Sequence, residues 1–262
     1  MRVVDMSENV HAHKFLGLPG AKPRVWVDLS SVASKRAGLA MHSPGRKFLR
    51  WAVKVLGWFA WLPIEKILRG PVKRFDELDG HEVIESIVEC WGRSRSVEYL
   101  TLYMGNDSVK TKLTVLVKLS GGVGEWRSGG EGALIVKLGR TKEAGEAIRN
   151  EAAILKRLAT TNLHSQVPVV CGEVGTFENW TWSVQTVLPK GKSPVRMQRE
   201  HYEFLDELKK LGISHGDFAP WNCSIVGGRL FVYDWEDAGP WEEGKDESWF
   251  KGQVKKLLGI NA

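Results

Sequence analysis

The chain reads as an α+β protein of two lobes, with a small antiparallel sheet first and a reduced helical lobe after it. Three observations carry this reading. Residues 97–103, 112–119 and 133–137 are short runs that alternate or stay apolar, rich in β-branched residues. Residues 142–159 and 197–211 instead repeat apolar positions at three- and four-residue spacing, the period of an amphipathic helix. A polar loop at 215–222 is then followed by one more strand-like run, 229–234. The organisation that follows is a basic helical extension at 1–94, a sheet-bearing lobe at 95–188, and a reduced lobe at 189–262 that holds the polar loop.

Taken in order, residues 1–25 show little periodicity and are expected to be loose. Residues 46–69 read as a helix, with Phe48, Leu49, Ala52, Val55, Leu56, Phe59 and Leu62 recurring on one side. Arg46, Lys47, Arg50 and Lys54 cluster at its start, Trp51, Trp58 and Trp61 add aromatic bulk, and Pro63 ends or kinks it. A second helix is expected over 75–91, with Val83, Ile84, Ile87 and Val88 as its stripe. After a polar break the first two strands follow, joined by a turn at 105–110. The glycine-rich stretch 121–130 joins the second and third strands. No helix follows it directly, so it is read as a surface hairpin and not as a dinucleotide loop. The 142–159 helix turns Ala147, Ile148, Ala152, Leu155 and Leu158 inward. Further strands are expected at 168–174 and 182–188, and residues 190–194 punctuate the passage to the last lobe.

The chemistry is concentrated in His215-Gly216-Asp217-Phe218-Ala219-Pro220-Trp221-Asn222 and in Asp234-Trp235-Glu236. Transfer of a phosphoryl group from ATP needs one carboxylate to orient a hydroxyl and take its proton. It also needs an amide oxygen and a second carboxylate to hold the magnesium that bridges the phosphates. Asp217 fits the first role; Asn222, five positions on, and Asp234 fit the second. Upstream, Lys137 ends an apolar strand-like run, where its ammonium suits the α- and β-phosphates. Glu151 on the following helix suits a partner for that lysine. His215 is read as a support of the loop.

These residues resemble the protein-kinase-like superfamily. The likeness is to its small-molecule branch of aminoglycoside phosphotransferases, choline kinases and lipopolysaccharide sugar kinases, which write H-G-D-x-x-x-x-N where protein kinases write H-R-D. The stretch through Gly105, Lys112, Lys137 and Glu151 is also similar to bacterial phosphotransferase-like proteins of surface-polysaccharide synthesis. The resemblance spans about residues 95–240 and implies a two-lobed protein-kinase-like fold, with ATP and Mg²⁺ as cofactors. It implies that the hairpin turn at Gly105 and Asn106 covers the phosphates, and that backbone groups near Thr186 and Leu188 hydrogen-bond adenine. It implies a small-molecule or glycolipid acceptor. Gly216 replaces the arginine that pairs with a phosphorylated activation loop. Only 28 residues follow Asp234, so the long helical lobe of protein kinases has no room. Acceptor contacts must then come from Trp221, from Trp241 and Trp249, or from the N-terminal extension.

Charge sharpens the division. Residues 1–75 hold 14 Lys and Arg against 4 Asp and Glu, while the remainder holds 23 against 27. A basic extension joined to a mildly acidic body suggests an anionic partner. With the tryptophans of 46–62, an anionic membrane surface fits. Three scattered cysteines without metal-ligand spacing suit a reducing cytoplasm, and no signal peptide or apolar membrane span is expected. Two other classes compete. One is a pseudokinase, a nucleotide-binding or scaffolding module of a glycan-assembly complex. The other is a nucleic-acid binder using the basic segment, disfavoured because no base-reading helix or interleaved aromatic strand appears.

Overall fold

A computed structural model describes residues 13–18, 24–41, 55–68, 70–78, 80–92, 97–104, 112–119, 133–189, 191 and 193–259. The chain forms two compact units. One gathers 1–125, 131–144 and 176–182; the other gathers 126–130, 145–175 and 183–262. The class is α+β, as the periodicities require.

An eight-stranded sheet in the order β3-β1-β2-β4-β5-β6-β8-β7 has most of its strands in the first unit. Its strands are β1 (Lys14–Leu18), β2 (Val25–Asp28), β3 (Val72–Arg74), β4 (Val97–Met104), β5 (Lys112–Leu119), β6 (Ala133–Gly139), β7 (Gly175–Phe177) and β8 (Trp180–Thr186). β4, β5 and β6 are an antiparallel meander at the expected positions, with Leu102 opposite Val115 and Val115 opposite Val136. Residues paired across strands share a face and alternate residues point oppositely. Leu100, Leu102, Leu113, Val115, Val117, Leu134, Val136 and Leu138 therefore form one continuous apolar face, all buried. Lys137, opposite Thr114, points to the other.

The N-terminal region departs from expectation. β1 lies in residues expected to be loose and β2 begins where that stretch ends, and they extend the sheet beyond β4 with Val25 opposite Tyr103. Their buried runs, FLGL and VWVD, are only four residues long. Strands covered on both faces have no alternation to reveal them. α1 (Val32–Met41) packs on β2 and β4, and Leu39, Leu16, Val27 and Ile64 share one core. The expected 46–69 helix is interrupted. Residues 55–58 are helical, a turn follows, and beyond Pro63 the chain resumes as α2 (Ile64–Leu68); residues 46–54 lie outside the described residues. The expected 75–91 helix is also broken. Phe75–Glu77 is a 3₁₀ turn, and Gly80, at φ 78°, admits the chain to α3 (His81–Gly92) in a conformation that side chains disfavour.

The second unit has residues 145–158 of α4 (Lys142–Leu158), with α5 (Arg199–Leu211), α6 (Lys245–Leu258) and two short ladders. One pairs β9 (Ile213–Ser214) with β12 (Gly239–Pro240), and the other pairs β10 (Cys223–Val226) with β11 (Arg229–Val232). Leu155 and Leu158 of α4, Phe204 and Leu208 of α5, and Phe250 of α6 close around Phe218, Val232 and Trp235. The expected strand at 168–174 amounts to an isolated bridge, Val170 to Gln185. α6 was not foreseen.

Phe15 on β1 is 0 % exposed, 6.2 Å from the ring of Phe75. If β1 is integral to the sheet, Phe15→Ala lowers unfolding free energy by about 3–5 kcal/mol in urea titrations. A loose N-terminal segment would leave the midpoint within experimental scatter of wild type.

Candidate active site

The polar loop enters through β9 and leaves through the 3₁₀ turn Pro220–Asn222 into β10. Its anchor is Asp246, in the first turn of α6 and 2 % exposed. The His215 N–H donates to Asp246 Oδ2 at 2.7 Å and the Gly216 N–H donates to Oδ1 at 2.9 Å. Charge-assisted bonds of this kind are about twice as strong as neutral ones, and a helix N-terminus favours the anion. Gly216 has φ 83°, and a Cβ there would lie 2.0 Å from the Asp237 carbonyl oxygen. No side chain fits, so glycine is required at this position for a steric reason.

His215 is fully buried. Its Nε2 lies 2.9 Å from the Tyr233 carbonyl oxygen, and its Nδ1 accepts from the Asp217 N–H at 3.3 Å. That pattern requires a neutral ring protonated on Nε2. Burial pulls its pKa down in agreement. His215 thus ties the loop to Tyr233, the residue before Asp234.

Asp217 presents its carboxylate to two donors. Asn222 Nδ2 reaches Oδ2 at 2.8 Å and also the Asp217 backbone oxygen at 3.0 Å. The Trp249 indole N–H reaches Oδ1 at 2.6 Å. Burial raises the Asp217 pKa above its ordinary value; the Trp249 bond opposes that most strongly, with His215 and Asn222 adding to the opposition. Asn222 is 7 % exposed and commits its NH₂ to Asp217, so its amide oxygen is the atom left for a cation.

Asp234 follows β11 with φ 60°, a left-handed conformation uncommon outside glycine and often found at functional sites. The neighbouring backbone is clamped by α4. Glu151 Oε1 accepts the Trp235 N–H at 3.1 Å, while Asn150 Nδ2 donates to the carbonyl oxygens of Glu236 and Ala238 at 3.1 and 2.9 Å. Trp235, 0 % exposed, sets its ring 4.5 Å from that of His215 and joins both segments to the core. A carboxylate and an amide oxygen are hard donors. They are too few for a resident ion, and they suit a magnesium that arrives with phosphates supplying the remaining oxygens. Among the described residues no cluster of three or more His, Cys, Asp or Glu could hold a metal.

The other expected residues are distributed as follows. Lys137 lies on β6 of the sheet unit, 8 % exposed. Gly105 and Asn106 lie outside the described residues. Thr186 ends β8 with its N–H donating to the Val169 oxygen and its hydroxyl accepting the Val169 N–H, both at 2.9 Å. Its carbonyl is then its remaining backbone group for a base. Leu188 is 3 % exposed beside Pro189, whose carbonyl oxygen accepts from the hydroxyls of Tyr233 and Ser224. Asp246 and Asn150 were not singled out from sequence. An acidic residue two positions after Gly244, opening an amphipathic stretch, was the available signal for Asp246. Trp249 was expected only as an acceptor contact.

No family model and no curated protein matches the chain. Among solved structures it is similar to a crystallised kinase domain at 13 % identity and TM-score 0.37, over 54 % of this chain and 52 % of that one. It is also similar to the kinase of Cydia pomonella granulovirus at 15 % identity and TM-score 0.40, over 61 % and 59 %. The chain thus spans little more than half the length of each.

Because the Trp249 indole stabilises the ionised carboxylate, its removal must favour the proton. In a carboxyl NMR titration Asp217 is expected above its ordinary 3.8, and Trp249→Phe is expected to move it further up. An unchanged or lower midpoint in the variant would show that the indole does not govern this ionisation.

Proposed function

We propose that the chain is an ATP- and magnesium-dependent phosphotransferase that moves the γ-phosphoryl group to a hydroxyl of a small molecule or glycolipid. The observation that carries the reading is Asp217, a half-buried carboxylate with a raised pKa, held by Asn222 and Trp249 on a loop anchored at Asp246. A phosphoryl transition state is loose and asks little of a base, so positioning matters more than base strength. Asp217 orients the acceptor hydroxyl and takes its proton late. Asn222 and Asp234 would supply oxygens to Mg²⁺, which when bound would neutralise charge on the phosphates. Lys137, with Glu151 as its partner, serves the α- and β-phosphates. The resemblance implies that Gly105 and Asn106 would cover them and that the backbone at Thr186 and Leu188 would receive adenine. The resemblance to proteins of surface-polysaccharide synthesis makes a sugar or glycolipid hydroxyl the preferred acceptor.

The role of each carboxylate is separable. Asp234→Ala is expected to weaken Mg-ATP binding in calorimetry and abolish turnover. Asp217→Asn is expected to keep Mg-ATP affinity and lower transfer by ~10²–10⁴-fold, the range for a positioned acid–base group. Magnesium-dependent ATP binding without transfer to any sugar, amino-alcohol or glycolipid acceptor would instead establish a pseudokinase, and unchanged affinity in Asp234→Ala would overturn the metal assignment.

The location we propose is the cytoplasm, with reversible attachment to an anionic membrane surface. Among the described residues no helix is long and apolar enough to cross a membrane. Trp58, Phe59 and Trp61 are 74, 45 and 65 % exposed, an aromatic group of the kind that settles at a lipid interface. Arg46, Lys47, Arg50 and Lys54 precede it, each worth ~1 kcal/mol near anionic lipid. Co-sedimentation with phosphatidylserine vesicles is expected to exceed that with neutral vesicles. It should fall as salt rises, and fall again when those four residues are changed to Gln. Equal recovery on both vesicle types would leave the segment as a brace of the fold.

A further inference from the structure

Both carboxylate oxygens of Asp217 accept a hydrogen bond from the chain, and the two donors differ in how firmly they are held. Asn222 is 7 % exposed, and its Nδ2 reaches both Oδ2 and the backbone oxygen of Asp217, at 2.8 and 3.0 Å. Its amide is tied twice to the residue it serves. Trp249 is 43 % exposed and reaches Oδ1 through a single bond of 2.6 Å from Nε1. The backbone of α6 is fixed independently of that bond, because Asp246, one turn before Trp249, and Phe250, one residue after it, are both buried. The indole can turn away from Oδ1 without moving the helix, and exposed side chains change rotamer within picoseconds to nanoseconds.

The indole N–H is a donor with no nucleophile behind it. Its nitrogen lone pair belongs to the aromatic system, so the group donates and does not accept. A hydroxyl or a water that donated to Oδ1 would instead bring an oxygen lone pair to the place where the base works. Water is the competitor that matters, since it outnumbers any acceptor and Asp217 would orient it as readily as an alcohol. The result would be hydrolysis. The water oxygen would form the bond to the γ-phosphorus, the bond from that phosphorus to the ADP oxygen would break, and the water proton would pass to Asp217. Satisfying Oδ1 with a donor that has no such lone pair suppresses this side reaction.

We propose that Trp249 is a positioning residue that occupies the acceptor's place at Asp217 Oδ1, keeps water from it, and yields to an acceptor hydroxyl. This role rests on the phosphotransferase reading above and adds to it the control of when the base is open. An acceptor displaces the indole because its remaining groups contribute binding energy of their own, which water lacks. Asp246 and Trp249 lie one turn apart on α6, so the helix that holds the loop backbone also covers the loop's carboxylate.

Hydrolysis of Mg-ATP by the full chain with no acceptor added, at about pH 8 where carboxylates are ionised, tests this role with water as the probe. Trp249→Phe is expected to raise the rate at least about tenfold, the loss of one hydrogen bond to a charged group, and to keep Mg-ATP affinity in calorimetry. Adding Asp217→Asn to that variant is expected to remove the gain, because the carboxylate is what orients the water. Indole N–H exchange, followed by NMR, tests the contact in the wild-type chain. The Trp249 proton is expected to exchange more slowly than that of Trp221, although the two rings are 43 and 50 % exposed. Three results would each overturn the role of Trp249 and leave the phosphotransferase reading standing: unchanged or slower hydrolysis in Trp249→Phe with Mg-ATP still bound, a gain that survives Asp217→Asn, or exchange as fast as that of Trp221. Absence of magnesium-dependent ATP binding by the wild type would overturn the phosphotransferase reading, and the role of Trp249 with it.

Discussion

The bidentate acceptance of the His215 and Gly216 N–H groups by Asp246 is the constraint on which the candidate site rests. A loop that must present a carboxylate cannot spend its own backbone on a regular ladder, so its buried N–H groups need an outside acceptor. One carboxylate at the start of α6 supplies it for two consecutive residues. This fixes the peptide planes on either side of Gly216 and leaves that glycine against Asp237, where a Cβ would meet the carbonyl oxygen. The rest follows in order. His215 can bridge to Tyr233 only if the loop is held, and Asp217 can be flanked by Asn222 and Trp249 only if its neighbours do not move.

α4 performs the complementary task for the second carboxylate. Asn150 and Glu151 take up the backbone of residues 235, 236 and 238, directly after Asp234 in its left-handed conformation. Trp235 then couples the two segments through its ring against His215. The apolar core of this unit, from Leu155 to Phe250, surrounds that junction. Polar presentation at the site and apolar closure beneath it are therefore one arrangement, in which a buried indole is as necessary as a carboxylate.

Both tryptophans near the acidic groups illustrate what residue type alone conceals. Trp235 is wholly buried and structural, whereas Trp249 is 43 % exposed and donates to Asp217. Burial likewise silences Cys171 and Cys223. It pushes the Cys171 thiol up to about 11 and raises that of Cys223 further, so neither is a nucleophile at neutral pH.

The β4–β6 meander and the helices α4 and α5 were legible in the sequence because half-buried elements advertise themselves by period. So was the candidate loop, because Asp217 and Asn222 must sit close in the chain to share one tight turn. β1, β2 and α6 were not legible. The first two are short and covered on both faces, which erases alternation. The last lies in residues 235–262, which by sequence read only as a short tail with Trp241 and Trp249 as acceptor contacts. Asp246 pairs with residues 30 and 31 positions away, and no local pattern records such a contact. The sequence by itself determined which chemical groups are available and which of them lie near one another along the chain. Only the tertiary structure decided that Asp246 satisfies the loop and that Trp249 caps Asp217. Hydrogen-bond partners are a property of distance in space, and distance along the chain does not encode them.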